Sequence, residues 1–490
     1  MGPPLPSTTS SAHLRTLLEP CVIPSSSPRS HYRNWARTYA ATPHTAFQPT
    51  SEDQCAAILK LAELEGRVVR AVGSGHSPSD LPCTSDFMVR MDRLDGLIEL
   101  DREKLVVTIQ AGMTLMALND LLDAEGLAMP NLGSISDTTI AGVISTGTHG
   151  TGIDYGCLAT HVIALDVLLA DGTRAHCSRS ESEDLFLASL CGLGTTGLIM
   201  HVSIQVTKAF QLKEVRTVMH IDDVIRDVET LASDGEFVRL WWAPHIEQVA
   251  VTRANRTSTP EPPQSPFSWF WNSFIAGTLG EFLLYLGLFI PIFEWWGNLL
   301  KSRITVVPYT SVGRSDKIFN LDCGEIQYTT EWNVPFEEAK ATLMELKAWC
   351  ELSKSRGDQL PSFPIEVRFS KQDDIWLSPA YGRTSCWIGI VKYKPYGRPV
   401  PFQSLSQQFE EILQAHNGRP HWAKTHSFSP SGLRSLYPRF DDFVSVVRRV
   451  DPKGRFQNEY VRRHVFQESL IEDEEGQVSS VHTSVYAKNT

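Results

Sequence analysis

Residues 72–80 read Val72-Gly73-Ser74-Gly75-His76-Ser77-Pro78-Ser79-Asp80, a glycine-rich loop directly after the β-rich run Arg67 to Val72. Such a loop turns several backbone N–H groups toward one point, which suits a phosphate. Pro78 stands where a G-x-G-x-x-G dinucleotide loop needs its third glycine to open a helix against the strand. No Gly-Lys-Ser/Thr follows, so a P-loop is excluded as well. What remains is a pyrophosphate cradle with a histidine inside it.

Two more glycine clusters lie downstream, Ser145-Thr146-Gly147-Thr148-His149-Gly150-Thr151-Gly152 and Gly192 to Gly197. Any one of these loops alone reads as a turn; three in one stretch suit a long, folded, polyanionic cofactor. Around them, short strand-like runs (Phe87 to Met91, Leu105 to Ala111) alternate with helix-like stretches. Ser51 with Gln54 makes a capping box for apolar residues at Cys55, Ile58, Leu59 and Ala62, and Leu115 to Ala124 closes before Gly126. The pattern predicts a mixed α/β domain through about residue 210.

A chain of 490 residues exceeds one compact core and predicts at least two domains. Hydrophobic residues at 42% and charged residues at 21% are ordinary for a soluble globular enzyme. The net charge of −11, without a dense basic patch, argues against nucleic acid as a partner. Nine scattered cysteines with no CxxC pair exclude a zinc knuckle or a redox dithiol, and no metal is expected. Residues 1–30, rich in Ser and Pro, read as a flexible N-terminal tail, and 471–490 as a mobile polar tail.

The segment from Phe267 to Leu300 stands apart. Its only charges are Glu281 and Glu294, Trp269 and Trp271 lie near one end, and Trp295 and Trp296 near the other. The tryptophans resemble an aromatic belt. Gly280-Glu281 and Pro291 interrupt the run, and a glutamate at mid-membrane is costly. One crossing would also separate chemistry-bearing residues on its two sides. The expectation is a bent, interfacial or hairpin-like insertion that docks on a membrane surface.

These loops resemble the FAD domain of the vanillyl-alcohol-oxidase-type flavoproteins. Asn131-Leu132-Gly133-Ser134, Pro364-Ile365-Glu366-Val367-Arg368, Arg419-Pro420-His421-Trp422-Ala423-Lys424 and Asn458-Glu459-Tyr460-Val461-Arg462-Arg463, taken with the His76 loop, are similar to the aldonolactone oxidoreductases. The likeness is strongest to the fungal D-arabinono-1,4-lactone oxidases and spans roughly residues 30–465. It implies an α+β fold: a two-lobed FAD-binding domain (31–210) and a mixed α/β cap, or substrate, domain (211–440) carrying the apolar insertion 267–300. A C-terminal segment (441–470) would return to the flavin.

The resemblance further implies FAD bonded covalently through His76, with Gly73, Ser74, Gly75, Ser77, Gly133, Ser145, Thr146, His149, Gly150, Gly152, Gly197 and Asn458 around the cofactor. Glu366 and Arg368 stand two apart, so on a strand they share a face. The family pattern sets them before the reacting carbon, with Arg368 stabilising charge that develops on the substrate oxygen. Lys424 and Ser134 complete the expected catalytic set. Gly133, lacking a side chain, would leave a path for O2 to the reduced flavin.

The implied reaction is oxidation of D-arabinono-1,4-lactone at C2, with L-galactono- and L-gulono-1,4-lactone as further substrates. O2 would be reduced to H2O2, and the product would enolise to erythroascorbate or ascorbate. The alternatives are an alditol oxidase on the same scaffold and a lactone dehydrogenase that uses cytochrome c. A membrane-associated, mitochondrial location is implied by the resemblance alone.

Overall fold

The computed structural model of the 490-residue chain describes residues 10–260, 277–321 and 324–466. Secondary structure begins at α1 (Ser11–Leu18), whose Leu14 and Leu18 are fully buried. For residues 10–30 this corrects the flexible tail expected over residues 1–30. Leu14 and Leu18 fall one helical turn apart, so they share a face, and that face packs into the cluster around Ile58, Leu59 and Ala62 of α2 (Glu52–Glu65). Arg15 adds a 2.6 Å ion pair with Glu65. Residues 1–9 and the expected mobile tail at 471–490 lie outside the described residues.

Three parallel strands, β1 (Thr45–Phe47), β2 (Val69–Val72) and β3 (Phe87–Arg90), pair in the order β1-β3-β2. Parallel strands need a crossover, and α2 supplies it between β1 and β2. Its N-terminus is capped by the Ser51 side chain, which accepts from the Gln54 N–H, while the Gln54 side chain accepts from the Thr50 N–H at 2.7 Å. The rest of this domain is an antiparallel sheet of β4 (Leu97–Asp101), β5 (Val106–Gln110), β6 (Val162–Leu168), β7 (Arg174–Ser178) and β8 (Leu198–Gln205), ordered β7-β6-β8-β5-β4. α3 (Leu115–Ala124) and α4 (Ile140–Ser145) pack into its core.

At Gln211 the chain enters a second, eight-stranded antiparallel sheet. Its strands are β9 (Gln211–His220), β10 (Phe237–Ala243), β11 (Gln248–Thr257), β12 (Tyr309–Arg314), β13 (Gln327–Pro335), β14 (Ser362–Ser370), β15 (Ser385–Tyr393) and β16 (Arg419–Pro420), ordered β12-β9-β11-β10-β14-β15-β13-β16. The period-two alternation of strands decides what each face does. Val238, Leu240, Ile365, Val367, Ile388 and Ile390 point one way, into a core with α5 (Ile221–Leu231) and two later helices. Trp241, Glu366, Arg368 and Gly389 point the other way, toward the first domain.

α6 (Gly280–Gly287) and α7 (Pro291–Thr305) form a helical hairpin. They approach closely at two glycines: a Cβ on Gly287 would lie 2.7 Å from the Glu294 backbone nitrogen, and one on Gly297 3.0 Å from Leu284. Ion pairs of Glu294 with Lys392 and of Lys301 with Glu325 tie the hairpin to the sheet and its flank. Phe289 (69% exposed), Ile290, Ile292, Trp295 and Trp296 face outward. Among the described residues no helix is long and apolar enough to cross a membrane. Trp269 and Trp271, the other half of the expected aromatic belt, lie outside the described residues.

The helices that flank the cap core are α8 (Ala339–Arg356) and α9 (Gln403–Ala415). After α10 (Phe440–Val450) the chain comes back to the first domain, where the Val69 N–H donates to the Arg455 carbonyl at 2.7 Å.

Candidate active site

A cavity of about 910 Å³ lies between the two sheets, toward the upper end of the ordinary range for ligand sites. Gly73, Ser74, Gly75, His76 and Ser77 form part of its wall, together with Gly133, Ser134, Ser145, Thr146, His149 and Gly197. The loop is pressed so tightly against the start of α4 that a Cβ on Gly73 would sit 2.1 Å from Thr139 Oγ1. Gly75 has φ 76°, a conformation that only glycine adopts at no steric cost.

Arg70 at the end of β2 gathers these loops. Its buried guanidinium donates to the carbonyls of Leu81, Leu193, Gly194 and Phe456 at 2.9–3.2 Å. One side chain thereby joins the first glycine loop, the third and the returning C-terminal segment. Burial lowers its pKa to about 10.

His76 stacks beside Trp35, with ring centroids 5.9 Å apart. Its Nε2 faces Asp137 Oδ2 at 3.1 Å, and since a carboxylate only accepts, that nitrogen is the one that donates. The other nitrogen, Nδ1, is buried and has no hydrogen-bond partner among the described residues. Ser134 Oγ is likewise buried without one. A cradle that closes on an added Cβ, an unpartnered imidazole nitrogen and an unpartnered hydroxyl along one cavity fit a phosphate-bearing flavin cofactor.

The opposite wall is the polar face of the cap sheet. Across neighbouring strands Trp241 pairs with Glu366, Glu366 with Gly389, and Gly389 with Glu331. The next row runs Arg239, Arg368, Trp387 and Asn333. Glu366 and Arg368 therefore share the face predicted from their spacing. Arg368 Nε lies 3.6 Å from Glu366, and its Nη2 donates to Glu331 at 2.5 Å. Glu366 in turn accepts from Trp241 Nε1 at 3.3 Å and faces Arg239 at 3.7 Å.

His149 reaches across from the first domain. It stacks on Trp387 at 3.6 Å and 14°, and its Nε2 meets Glu331 at 3.1 Å. Burial and the Arg368 charge both lower its pKa, while its two ring nitrogens face acceptors, Nε2 the Glu331 carboxylate and Nδ1 the Gly150 carbonyl at 2.9 Å. Burial pushes the Glu331 carboxyl up, but Arg368 and His149 outweigh it and hold the group well below the usual carboxylate range. Burial takes His421 down to about 3. Its N–H donates to the Glu331 carbonyl at 3.0 Å, and its own carbonyl accepts from the Lys424 N–H at 2.8 Å, which sets Lys424 in the cavity wall.

His149, Glu331 and His421 lie close enough for their ligand atoms to surround an ion. The donor set does not suit one: Glu331 is already paired with a guanidinium, His421 Nδ1 accepts the Ala423 N–H, and the Arg368 charge opposes a cation.

Three residues expected at the cofactor do other work. A Cβ on Gly150 would meet Asn131 Oδ1 at 2.3 Å, and one on Gly152 the Glu236 carbonyl at 2.8 Å, while the Gly152 N–H donates to Phe369. Both belong to the seam between the sheets. Asn458 caps the turn at Glu459 and donates to the Leu81 and Cys83 carbonyls, so it pins the C-terminal segment behind the loop. None of the three lines the cavity. Sequence reasoning missed Glu331, Trp387 and Arg70. Glu331 left one signal, an acid between Thr330 and Trp332 that is the one charged residue of its strand.

Comparison with known proteins agrees with this layout. Residues 43–178 match the FAD binding domain family, and residues 202–464 match the family described as D-arabinono-1,4-lactone oxidase. L-gulonolactone oxidase from Scyliorhinus torazame is 38% identical over 89% of this chain and 98% of its own. D-arabinono-1,4-lactone oxidase from Eremothecium gossypii is 29% identical over 85% and 87%. Among solved structures, cholesterol oxidase from B. sterolicum superposes with a TM-score of 0.77 at 15% identity, covering 91% of this chain and 99% of that one, a likeness of fold.

Proposed function

The chain belongs to the D-arabinono-1,4-lactone oxidase family, and on that footing we propose that it oxidises the C2 hydroxyl of aldono-1,4-lactones, using FAD carried on His76 and O2 as the final acceptor. The observation that carries the reading is the Glu366–Arg368 pair, set on one wall of a cavity whose other wall is the glycine cradle. FAD, when bound, supplies the two-electron acceptor. The protein supplies orientation and charge. Arg368 holds the hydroxyl oxygen and stabilises the negative charge that develops there as the hydroxyl proton passes to the Glu366 carboxylate and the hydride leaves carbon for the two-electron acceptor. Glu366 hydrogen-bonds the substrate hydroxyls and orients the guanidinium. Ser134 Oγ and Lys424 bind the lactone, and the Lys424 cation favours negative charge on the reduced ring. The 2-keto product enolises to erythroascorbate or ascorbate.

The relatives name both five- and six-carbon lactones, so D-arabinono- and L-gulono-1,4-lactone are the first substrates to compare, with L-galactono-1,4-lactone beside them. Purified protein in air is expected to release peroxide with these lactones. Turnover on alditols alone would make it an alditol oxidase, and turnover only with cytochrome c a dehydrogenase. Gly133 supports O2 as the acceptor: a Cβ there would stand 3.2 Å from the His149 carbonyl and 3.3 Å from Thr148, inside the cavity wall. Gly133→Ala is therefore expected to slow peroxide release by about 10-fold or more while cytochrome c reduction persists, because one methyl narrows a path that only O2 needs. Equal loss with both acceptors would refute this role.

The α6–α7 hairpin is the proposed membrane-docking surface. Its outward Phe289, Ile290, Ile292, Trp295 and Trp296 suit insertion into a headgroup layer. Deleting the whole segment would be a poor test, because it removes the Glu294 carboxylate that faces the buried Lys392. Replacing Phe289, Ile292 and Trp296 by Ser avoids this and should weaken partition onto anionic phospholipid vesicles by about 10³-fold or more, since each exposed apolar side chain contributes roughly 1.5–3 kcal/mol when buried. Unchanged partition would remove the hairpin from consideration. The mitochondrial location rests on the resemblance alone, and subcellular fractionation reads it.

A further inference from the structure

We infer that Glu331 is the positioning residue of the active site: it sets the plane of the Arg368 guanidinium and acts on the reaction only through that group. This rests on the oxidase reading above.

The inference starts from the register of three strands. Glu366, Gly389 and Glu331 stand abreast on β14, β15 and β13, all toward the cavity. Gly389 puts no side chain between the two carboxylates, and Arg368, two residues along β14, contacts both. A Cβ on Gly389 would already touch Glu331 Cβ and Cγ at 3.5 Å. The guanidinium is shared unequally. Nη2 meets Glu331 Oε1 at 2.5 Å, whereas Nε stands 3.6 Å from Glu366. Nη1 points at the His149 carbonyl at 3.4 Å. A planar fork held at Nη2 and Nη1 has one orientation left.

Burial makes this hold strong. The side chains of Arg368 and Glu331 are 8% and 9% exposed, and His149 is 1% exposed, whereas Glu366 keeps 24% of its side chain open to the cavity. Glu366 is thus the carboxylate placed to meet substrate, and Glu331 the one placed beneath Arg368. The same Glu331 oxygen also receives His149 Nε2, which is stacked on Trp387, the cross-strand neighbour of Arg368. One carboxylate oxygen therefore fixes the guanidinium and the ring that joins the two domains. Glu331 touches no reacting atom in this scheme.

Glu331→Gln keeps the shape and removes the charge. Misplacing a reacting group by an ångström costs up to about 10²-fold, so kcat on the wild type's best lactone is expected to fall by about 10- to 100-fold, with KM within about threefold. Because Glu331 acts through Arg368, the same change in an Arg368→Lys background should cost less than about twofold more. A full, additive loss in that background would overturn the inference. So would unchanged kcat accompanied only by a lower unfolding temperature. If the Gln variant does not fold, Glu331→Asp keeps the charge but stops short of Nη2, and wild-type turnover from it would equally overturn the inference. Failure of the oxidase reading is separately visible, as a wild-type flavin that no lactone reduces.

Discussion

Arg368→Lys is expected to lower kcat and kcat/KM together by about 10²- to 10³-fold, the usual cost of losing one preorganised donor to a developing oxyanion. Lysine keeps the positive charge beside Glu331, so the buried carboxylate is not orphaned and the fold should persist. What is lost is the fork: one ammonium cannot hold Glu331 and the substrate oxygen in fixed, coplanar directions. Arg368→Ala would confuse two effects. It would leave Glu331, 9% exposed, without its main counter-charge, and breaking a buried pair costs about 3–5 kcal/mol of stability. Stopped-flow reduction of the flavin by lactone separates the chemical step from reoxidation. A Lys variant that reduced its flavin at the wild-type rate would show that charge alone suffices and that the geometry of Arg368 is irrelevant.

How much of this was legible in the sequence depends on the range of each interaction. The two-residue spacing of Glu366 and Arg368 sufficed to put them on one face, because strand periodicity is local. α2 was likewise readable from its capping box and apolar repeat, and so was the hairpin, since Gly280 and Pro291 interrupt the apolar run. Glu331 was not readable. Its neighbours across the sheet, Gly389 and Glu366, lie far along the chain, and only the order β14-β15-β13 brings them abreast. The glycine clusters show the limit of motif reading. Ser145 and Thr146 do line the cavity, but Gly150 and Gly152 in the same cluster are needed where two backbones touch at the seam between the sheets. Close approach to a ligand and close approach to another strand demand the same residue. The N-terminal stretch misled for another reason: its Ser and Pro content outweighed two leucines one turn apart, and tertiary burial on α2 decided the outcome.

His76→Ala is expected to abolish flavin fluorescence from the band on a denaturing gel, while the native protein still binds FAD reversibly. The two nitrogens of the ring stand in different surroundings. The Asp137 carboxylate accepts from Nε2, which leaves the buried Nδ1, without a hydrogen-bond partner among the described residues, as the ring nitrogen available for a bond. A neutral imidazole nitrogen so placed is a nucleophile. If FAD is carried here as proposed, Nδ1 would hold the cofactor covalently, Asp137 would receive the Nε2 proton and pass it on, and O2 would take up the two electrons and two protons that the new bond releases. Removing the imidazole takes away the only partner in that bond yet leaves the Gly73–Thr139 contact and the Arg70 knot intact, so the cradle itself should survive. Reversible binding then makes occupancy depend on concentration: activity should fall on dilution and return with added FAD, whereas the wild type should be indifferent to both. Fluorescence that persisted on the gel would place the bond on a different side chain, and the unpartnered Nδ1 would need another explanation.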